Sequence, residues 1–323
     1  MEEKEKFSEK SFKHFQKTEK YVTIRWYALK DLIELLSQNG LVVDYERDFD
    51  LAKASTIGVG GKAAIVFKPK TLKELMRLSD VLDEASIPFL VLGKMSNVLP
   101  PDGYFEKPII LTKDLCAMEF SKGVFAEAGV SVGAFLRECA KHGKTGAEFL
   151  AGIPCTIGGA AYMNAGAGGK YLSDIVKRVL VYKQKKLCLV SKKSCEYGYK
   201  KSVFMQDDCI ILGVEFELDE GSEEEILQNK RCVLKGRGWL PKGKSAGCIF
   251  KNPIGQSAGK LIEGAGLKGI RVGGAVVSEI HANFIINEGV ATADDVKKLI
   301  LLIKNAVFAQ YKITLEEEIR IIN

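Results

Sequence analysis

Apolar positions in the first half of the chain recur with two periods. Apolar residues three and four positions apart predict helices, and short apolar runs bounded by turn residues predict buried strands. Thr71 and Glu74 form a capping box that begins one helix. The predicted elements are a helix at 27–40, a strand at 63–69, a helix from 71 to about 86, a strand at 88–93, a strand at 123–130 and a helix at 131–143. This order predicts two successive α/β units.

The second half is predicted to complete the second unit and then to form a smaller domain. One face of its last helix is apolar, and we interpret that face as core: Val296, Leu299, Ile300, Ile303 and Val307. The predicted elements are strands at 177–183 and 209–218, a helix from about 223, a helix at 255–264, a strand at 283–287, a helix at 292–310 and a strand at 313–322. We therefore expect a C-terminal α+β domain after the two α/β units.

Composition narrows the class of protein. With 323 residues, of which 46% are hydrophobic, the chain is long enough for two or three domains. Its net charge of +6 is too small to argue for a nucleic-acid partner and fits the binding of anionic small molecules. The charged first 20 residues and the lack of a long apolar window predict a cytoplasmic protein without a membrane partner.

Cysteine spacing argues against a metal site. The eight cysteines include no C-x-x-C pair and only three histidines accompany them, so no metal site is predicted. In a reducing compartment we interpret most of them as small core residues. Cys248 needs a separate explanation, because it lies in the tight run "SAGCIFKNP" (245–253), where any small residue would fit.

Two glycine-rich turns follow predicted strands or helices of the two α/β units. They are "GKMSN" (93–97) and "GIPCTIGG" (152–159), and "MNAG" (163–166) follows the second. Glycine lets backbone N–H groups approach a phosphate closely. Neither turn has the G-K-[ST] of a Walker loop or the G-x-G-x-x-G of a Rossmann turn. Each alone could be an ordinary turn, but the pair favours a dinucleotide such as FAD.

Eight motifs resemble, in order and spacing, those of the UDP-N-acetylenolpyruvoylglucosamine reductases. They are "STIGVGGKA" (55–63), "LGKMSN" (92–97), "GIPCTIGGAAYMNAG" (152–166), "YGYKKSVF" (197–204), "SAGCIFKNP" (245–253), "AGKLIEGAGLKG" (258–269), "SEIHANFIIN" (278–287) and "LEEEIRII" (315–322). The resemblance covers about 44–323 and points to the shorter form of the family.

The resemblance implies an α+β fold in which two α/β subdomains form a PCMH-type FAD-binding region and a C-terminal α+β domain binds substrate. We expect an N-terminal extension with a helix at 1–43, the FAD-binding region at 44–220 (subdomains about 44–115 and 116–220), and the substrate domain at 221–323. It also implies non-covalent FAD, NADPH as co-substrate, and reduction of a UDP-sugar enolpyruvyl ether to UDP-N-acetylmuramate in peptidoglycan precursor synthesis. We expect a monomer.

The resemblance assigns three catalytic positions. Cys248 takes the place of a proton-donating hydroxyl, usually serine, and a thiol with an ordinary pKa of about 8.5 is a stronger acid than an alcohol. Glu318 matches the catalytic glutamate, whereas Glu316 and Glu317 are interpreted as solvated charges. Lys200 stands where the family has a catalytic arginine.

The resemblance also assigns binding positions. The predicted substrate contacts are Tyr199, Ser202, Lys251 and Asn252, and His281 is either a ligand contact or a structural histidine. The predicted FAD contacts are Gly93, Ser96, Asn97, Gly152, Pro154, Thr156, Ile157, Gly158, Gly159, Asn164, Ala165 and Gly166.

Departures from the family pattern leave alternatives open. Met95 and Cys155 replace glycines, and Lys200 replaces the arginine. The alternative is a paralogue that binds FAD or UDP-sugar with reduced or lost reductase activity. A flavin oxidase of the same fold is disfavoured, because no histidine lies in or beside either turn to anchor a covalent flavin.

Overall fold

The computed structural model describes residues 29–121 and 123–323, and its first part is an α/β unit. A four-stranded sheet in the order β1, β2, β5, β3 is parallel except for β1, which runs antiparallel to β2. Apolar side chains of α1 and α3 pack together in its core. The elements are α1 (29–38), β1 (Tyr45–Asp50), α2 (Leu51–Ala54), β2 (Lys62–Phe67), α3 (Leu72–Glu84), β3 (Leu90–Leu92), β4 (Val98–Leu99) and β5 (Ile109–Leu111).

The second unit is built on a five-stranded antiparallel sheet in the order β12, β11, β13, β7, β6. Helices α4 and α5 contribute apolar residues to the core of this unit. The elements are β6 (Met118–Glu119), β7 (Val124–Glu127), α4 (Val132–Lys141), β8 (Lys144–Thr145), α5 (Ile157–Met163), β9 (Gly166–Ala167), β10 (Lys170–Tyr171), α6 (Leu172–Ile175), β11 (Val176–Lys183), β12 (Lys186–Ser191), β13 (Ile210–Phe216) and β14 (Asp219–Glu220).

The C-terminal part packs two helices with a three-stranded antiparallel sheet. The apolar face predicted for the last helix lies in this core. The last strand then leaves the core and pairs in parallel with β4 of the first unit. The elements are α8 (Ala258–Gly264), β15 (Arg271–Val272), β16 (Ala275–Val277), β17 (Ile285–Asn287), α9 (Ala293–Tyr311) and β18 (Arg320–Ile321). Helix α7 (Glu223–Gly236) precedes them in the chain and packs against α4 and β8 of the second unit.

Most predicted elements occur within a few residues of their expected positions, but the strand predicted at 313–322 is wrong. Only Arg320–Ile321 is strand, because this segment crosses from the C-terminal core to the first unit. Its earlier part makes irregular contacts instead, such as the isolated bridge between Phe250 and Glu317. Residues 27 and 28 of the first predicted helix lie outside the described residues.

The cysteine interpretation needs correction. Cys139 and Cys195 are buried as expected, but the interpretation as core residues is wrong for the exposed Cys116, Cys188 and Cys232. Exposed thiols occur here on a loop, an edge strand and the polar face of a helix.

Among the described residues, no helix has the length and apolar character needed to cross a membrane.

Candidate active site

The two glycine-rich turns meet at the edge of the two α/β units. A Cβ placed on Gly93 would lie 2.3 Å from Thr156 Oγ1, so the first turn contacts the second through a position that excludes any side chain. Thr156 caps α5 by accepting a hydrogen bond from the Gly159 N–H at 3.3 Å. A Cβ placed on Gly158 would lie 2.8 Å from the Ala128 Cβ, so this position also leaves no room for a side chain. Together the turns form a cradle of the kind that a dinucleotide requires, with exposed or half-buried residues at 93–94, 96–97 and 152–155.

The first turn is also tied to the C-terminal strand. Asn97 donates its side-chain N–H to the Glu318 carbonyl at 2.9 Å, and its own carbonyl accepts from the Arg320 N–H at 2.9 Å. The Ser96 carbonyl accepts a hydrogen bond from Thr56 Oγ1. Met95 is buried and has a positive φ of 51°, a conformation that favours glycine.

The second turn offers mainly backbone to a ligand. Gly152 and Pro154 are exposed, whereas the Ile157 side chain is fully buried in the core. Cys155 accepts the Val132 N–H at its carbonyl, and burial raises the pKa of its thiol to about 12. Cys155 is therefore neutral at physiological pH.

The segment that follows α5 supports a neighbouring turn. Asn164 adopts a left-handed conformation at the end of the helix and is buried. Its amide donates to the Gly198 carbonyl at 2.9 Å and accepts from the Ser173 N–H at 2.9 Å. Ala165 is buried and Gly166 begins β9. Through Asn164, the predicted cofactor segment holds the turn that carries Lys200.

Lys200 and Glu318 form a largely buried ion pair. Lys200 Nζ lies 2.7 Å from Glu318 Oε1, and the side chains are only 17% and 12% exposed. Burial opposes the charge of Lys200, but the contact with Glu318 outweighs it and raises the pKa of the lysine above its ordinary value. Ser202, which follows this turn, is fully buried and donates to the Tyr162 carbonyl at 2.6 Å.

Cys248 lies opposite Glu318 because its segment is held on both sides. Ile249 accepts the Glu318 N–H at 2.7 Å and donates to the Asn283 carbonyl at 2.9 Å, while Cys248 itself bridges to Phe284. Burial, reinforced by the charge of Glu318, raises the pKa of the Cys248 thiol to about 11, against smaller opposing effects of Lys200 and Arg237. The thiol is therefore protonated at neutral pH.

A cleft of about 780 Å³ carries two of the four predicted substrate residues. Tyr199 and Asn252 line it together with Ser257, which caps α8, and Lys260 of α8. The Asn252 N–H donates to the Tyr199 hydroxyl oxygen at 3.2 Å, and the Asn252 side chain accepts from the N–H of Ala258. These bonds hold the two residues at the start of α8.

The other predicted residues near Cys248 have partners in the protein. Lys251 is not part of the cleft wall, since its ammonium contacts Glu316 at 2.5 Å. Lys304 contacts Glu317 at 2.8 Å. His281 accepts the Asn283 N–H and stacks on Trp239. Burial lowers the pKa of His281, which favours its structural interpretation.

The sequence prediction missed Arg237, which follows α7. A Cβ on Gly152 would lie 3.5 Å from Arg237 Nε, so the guanidinium lies against the second turn. It is also close enough to act electrostatically on the thiols of Cys248 and Cys155. Nothing in "GRGW" (236–239) signals this position, because it depends on how α7 packs.

Comparisons with known proteins agree with this geometry. Residues 240–322 match the family described as UDP-N-acetylenolpyruvoylglucosamine reductase, C-terminal domain, and residues 63–185 match an FAD binding domain. The chain is 36% identical over 301 residues to the UDP-N-acetylenolpyruvoylglucosamine reductase of Clostridioides difficile, covering 90% of this chain and 96% of that protein. The chain belongs to the UDP-N-acetylenolpyruvoylglucosamine reductase family.

Two further comparisons support this assignment. The reductase of Chlamydia pneumoniae is 38% identical over 277 residues, covering 84% of this chain and 90% of that protein. The crystal structure of UDP-N-acetylenolpyruvylglucosamine reductase from Thermus caldophilus is 35% identical and matches with a TM-score of 0.75, covering 88% of this chain and all of that one. The predicted family, the α+β class with an FAD-binding region, and FAD as cofactor are confirmed.

Proposed function

We propose that this protein reduces the enolpyruvyl ether of UDP-N-acetylglucosamine to UDP-N-acetylmuramate, with NADPH as the reductant. The observation that carries the proposal is the ion pair of Lys200 and Glu318, whose charges act on the Cys248 thiol. Asn97 of the first glycine turn binds the Glu318 carbonyl, and Tyr199, next to Lys200 in the chain, lines the cleft. The curated relatives described above carry the name of this reductase. The predicted alternative, a paralogue that binds FAD or UDP-sugar with reduced or lost reductase activity, has no observation in its favour.

The residues of the two turns fit FAD. A side chain is excluded at Gly93, so the backbone there can approach a pyrophosphate closely, whereas the Gly158 N–H already donates to the Ala128 carbonyl at 2.8 Å. Bound FAD would take two electrons from NADPH and deliver a hydride to the methylene carbon of the substrate. We propose that Ser96, Asn97, Thr156 and Gly159 contribute to holding it, and that Gly152, Pro154, Ile157, Asn164, Ala165 and Gly166 shape the cradle through their backbone.

The cleft suits the nucleotide sugar. Its polar wall includes the phenol of Tyr199, the amide of Asn252, the hydroxyl of Ser257 and the ammonium group of Lys260. These groups match the hydroxyls and phosphates of a UDP-sugar. We propose that Lys251 and Ser202 act indirectly, through Glu316 and the Tyr162 carbonyl respectively.

Cys248 supplies the proton. Hydride addition leaves negative charge on the carbon next to the carboxylate and on the carboxylate oxygens. The thiol transfers its proton to that carbon and the resulting thiolate is reprotonated from solvent, so atoms and charge balance. A thiol with a pKa near 11 is protonated whenever substrate arrives at neutral pH.

Lys200 and Glu318 set the charge around this step. The ammonium group of Lys200 stabilises the negative charge that develops on the substrate, as positioned cations and hydrogen-bond donors stabilise oxyanions in other enzymes. Glu318 holds Lys200 in place at 2.7 Å and keeps the thiol from ionising. Lys200 provides the charge of an arginine but not its parallel pair of donors.

Two measurements test the proposal. The purified protein should be yellow, should release FAD on acid denaturation, and should oxidise NADPH faster with the enolpyruvyl substrate than without it.

Cys248→Ala should leave reduction of the flavin by NADPH nearly unchanged and slow its reoxidation by substrate about 10²- to 10⁴-fold, whereas Cys248→Ser retains substantial turnover. Equal reoxidation rates in Cys248→Ala and the parent would exclude Cys248 as the acid.

We also propose that the reaction belongs to peptidoglycan precursor synthesis in the cytoplasm and that the protein acts as a monomer. NADPH and a nucleotide-linked sugar are the reactants, and both are charged small molecules rather than membrane components. Sedimentation of the FAD-loaded protein tests the oligomeric state. A mass well above 35.5 kDa would contradict the monomer.

A further inference from the structure

The guanidinium group of Arg237 lies against the second glycine turn and near the thiols of Cys248 and Cys155. Its backbone N–H ends α7 by donating to Val233 and Leu234, while its side chain reaches the second glycine turn beside Gly152. Its charge acts on both Cys248 and Cys155. A residue at the end of a surface helix therefore contributes its cation to the interior of the candidate site.

One guanidinium nitrogen of Arg237 is unpaired within the described part of the chain. Arg237 Nη1 is buried and has no hydrogen-bond partner among the described residues. Burial lowers the pKa of Arg237 below its ordinary value, as expected for a desolvated cation. Leaving a buried charged donor unsatisfied is costly, so such a nitrogen indicates an anionic acceptor that arrives with a ligand.

Lys200 is not available in the same way. Its ammonium is already neutralised by Glu318 at 2.7 Å. With both thiols protonated, Lys200, Arg237 and Glu318 together carry a net charge of +1 from two cations and one anion. One further carboxylate would balance that charge, and the enolpyruvyl group of the proposed substrate carries one.

We propose that Arg237 is a further catalytic residue that binds the enolpyruvyl carboxylate and takes over the guanidinium role that Lys200 cannot fill. This inference rests on the proposed function. A planar guanidinium can donate two parallel hydrogen bonds to a carboxylate, and it continues to do so as negative charge spreads over both oxygens after hydride transfer. Lys200 then adds a positive charge near the substrate that is partly offset by Glu318, without the parallel pair of donors.

The experiment compares two ligands that differ in the carboxylate. Affinities of the oxidised, FAD-loaded protein are measured by calorimetry for UDP-N-acetylglucosamine and for its enolpyruvyl ether, in the parent, Arg237→Met, Arg237→Lys and Arg231→Met. Arg231 is an exposed arginine of the same helix and serves as the control. Without NADPH no turnover occurs, so these measurements report binding alone.

We expect Arg237→Met to weaken binding of the enolpyruvyl ether roughly 10- to 100-fold, the range for a lost charged hydrogen bond, while the affinity for UDP-N-acetylglucosamine is unchanged. Arg237→Lys should recover part of the loss, and Arg231→Met should match the parent. Reoxidation of the reduced flavin by substrate should slow at least as much as binding weakens, with reduction by NADPH unchanged.

Two results would overturn the inference. Equal losses for both ligands in Arg237→Met would give Arg237 a purely structural role, and no loss for either would remove it from the site. If the parent protein itself does not distinguish the two ligands and is not reoxidised by the enolpyruvyl ether, the proposed function fails first. Measurements on the parent protein therefore test the proposed function, and those on Arg237→Met test the role of Arg237.

Discussion

Besides Asn164, a residue type that tolerates the left-handed region, Met95 and Lys200 at the site have backbone conformations that non-glycine residues seldom adopt. Met95 has φ 51° in the first turn and Lys200 has φ 52° in the turn beside Glu318. A left-handed conformation costs an ordinary residue about 1–2 kcal/mol, so other contacts must compensate. Met95 is compensated by burial, and Lys200 by its ion pair with Glu318.

Met95 allows the two contributions to be separated. Met95→Ala removes buried side chain but keeps the strained backbone, so we expect a loss of about 2–5 kcal/mol in the free energy of unfolding. Met95→Gly removes the same contacts and relieves the strain, and it should be more stable than the alanine variant by up to about 1 kcal/mol. Urea unfolding measures both. An alanine variant as stable as the glycine variant would show that φ 51° carries no strain.

The Cys248 thiol should titrate far above an exposed thiol. Burial and Glu318 raise its pKa to about 11, so the thiolate absorbance of the parent minus that of Cys248→Ser should rise near pH 11. Between about pH 8.5, the ordinary thiol pKa, and pH 11, the folded state binds more protons than the unfolded state. Stability therefore falls with rising pH across this window, and it falls less in Cys248→Ser. A midpoint near pH 8.5 would contradict the burial of the thiol.

At the scale of elements, the sequence correctly predicted those helix caps and apolar faces that depend on residues close together in the chain. The Thr71 cap and the apolar face of α9 occur as expected, because each depends on residues within a few positions. The edge strand β12 was missed, since its residues are exposed except for the half-buried Val190, and no buried face marks it as a strand. The 313–322 segment was misassigned because its conformation depends on contacts with Ile249 and Asn97, which are remote in sequence.

The contact between the two glycine turns gives an element-scale prediction. In Gly93→Ala the new Cβ would lie 2.3 Å from Thr156 Oγ1, so one turn must shift and the cradle must open. We expect FAD affinity to fall more than tenfold, on the scale of losing one charged hydrogen bond or more. Fluorescence titration of the apoprotein with FAD measures this.

Gly133→Ala is the matched control. Gly133 lies in α4, and a Cβ there meets no atom within 4 Å. The substitution should leave FAD affinity unchanged and stabilise the helix by up to about 1 kcal/mol. Equal FAD affinities in the two variants would show that the contact between the turns does not shape the cofactor site.

At the scale of the whole molecule, the site depends on ties between the C-terminal part and the first unit. Strand β18 pairs with β4, Asn97 binds the Glu318 carbonyl, and Asn287 donates to the carbonyls of Ile57 and Gly58. These ties bring Glu318 to the turn that begins at Gly93. Family resemblance could name Cys248, Lys200 and Glu318, but Arg237 emerged only from this assembly, because its neighbours Gly152 and Cys248 are distant in sequence.

Asp102 provides a direct test of that assembly. This residue of the first unit accepts hydrogen bonds from the first two N–H groups of α9, from Ala293 at 2.5 Å and from Asp294 at 2.8 Å. Thr292 accepts the next, from Asp295, at 3.0 Å. A carboxylate from one unit therefore caps a 19-residue helix of the other and also faces the positive end of its dipole.

Asp102→Ala should lower the free energy of unfolding by about 0.5–2 kcal/mol, the usual value of a helix cap. Asp102→Asn keeps an acceptor but loses the charge, so we expect a smaller loss that shrinks further at high salt, where the dipole interaction is screened. Urea unfolding followed by circular dichroism and by flavin release measures both variants. Since the cap joins the two units, both signals should move to lower urea together. If only circular dichroism shifts, α9 unfolds independently of the cofactor site, and the ties between the units do not support the position of Glu318.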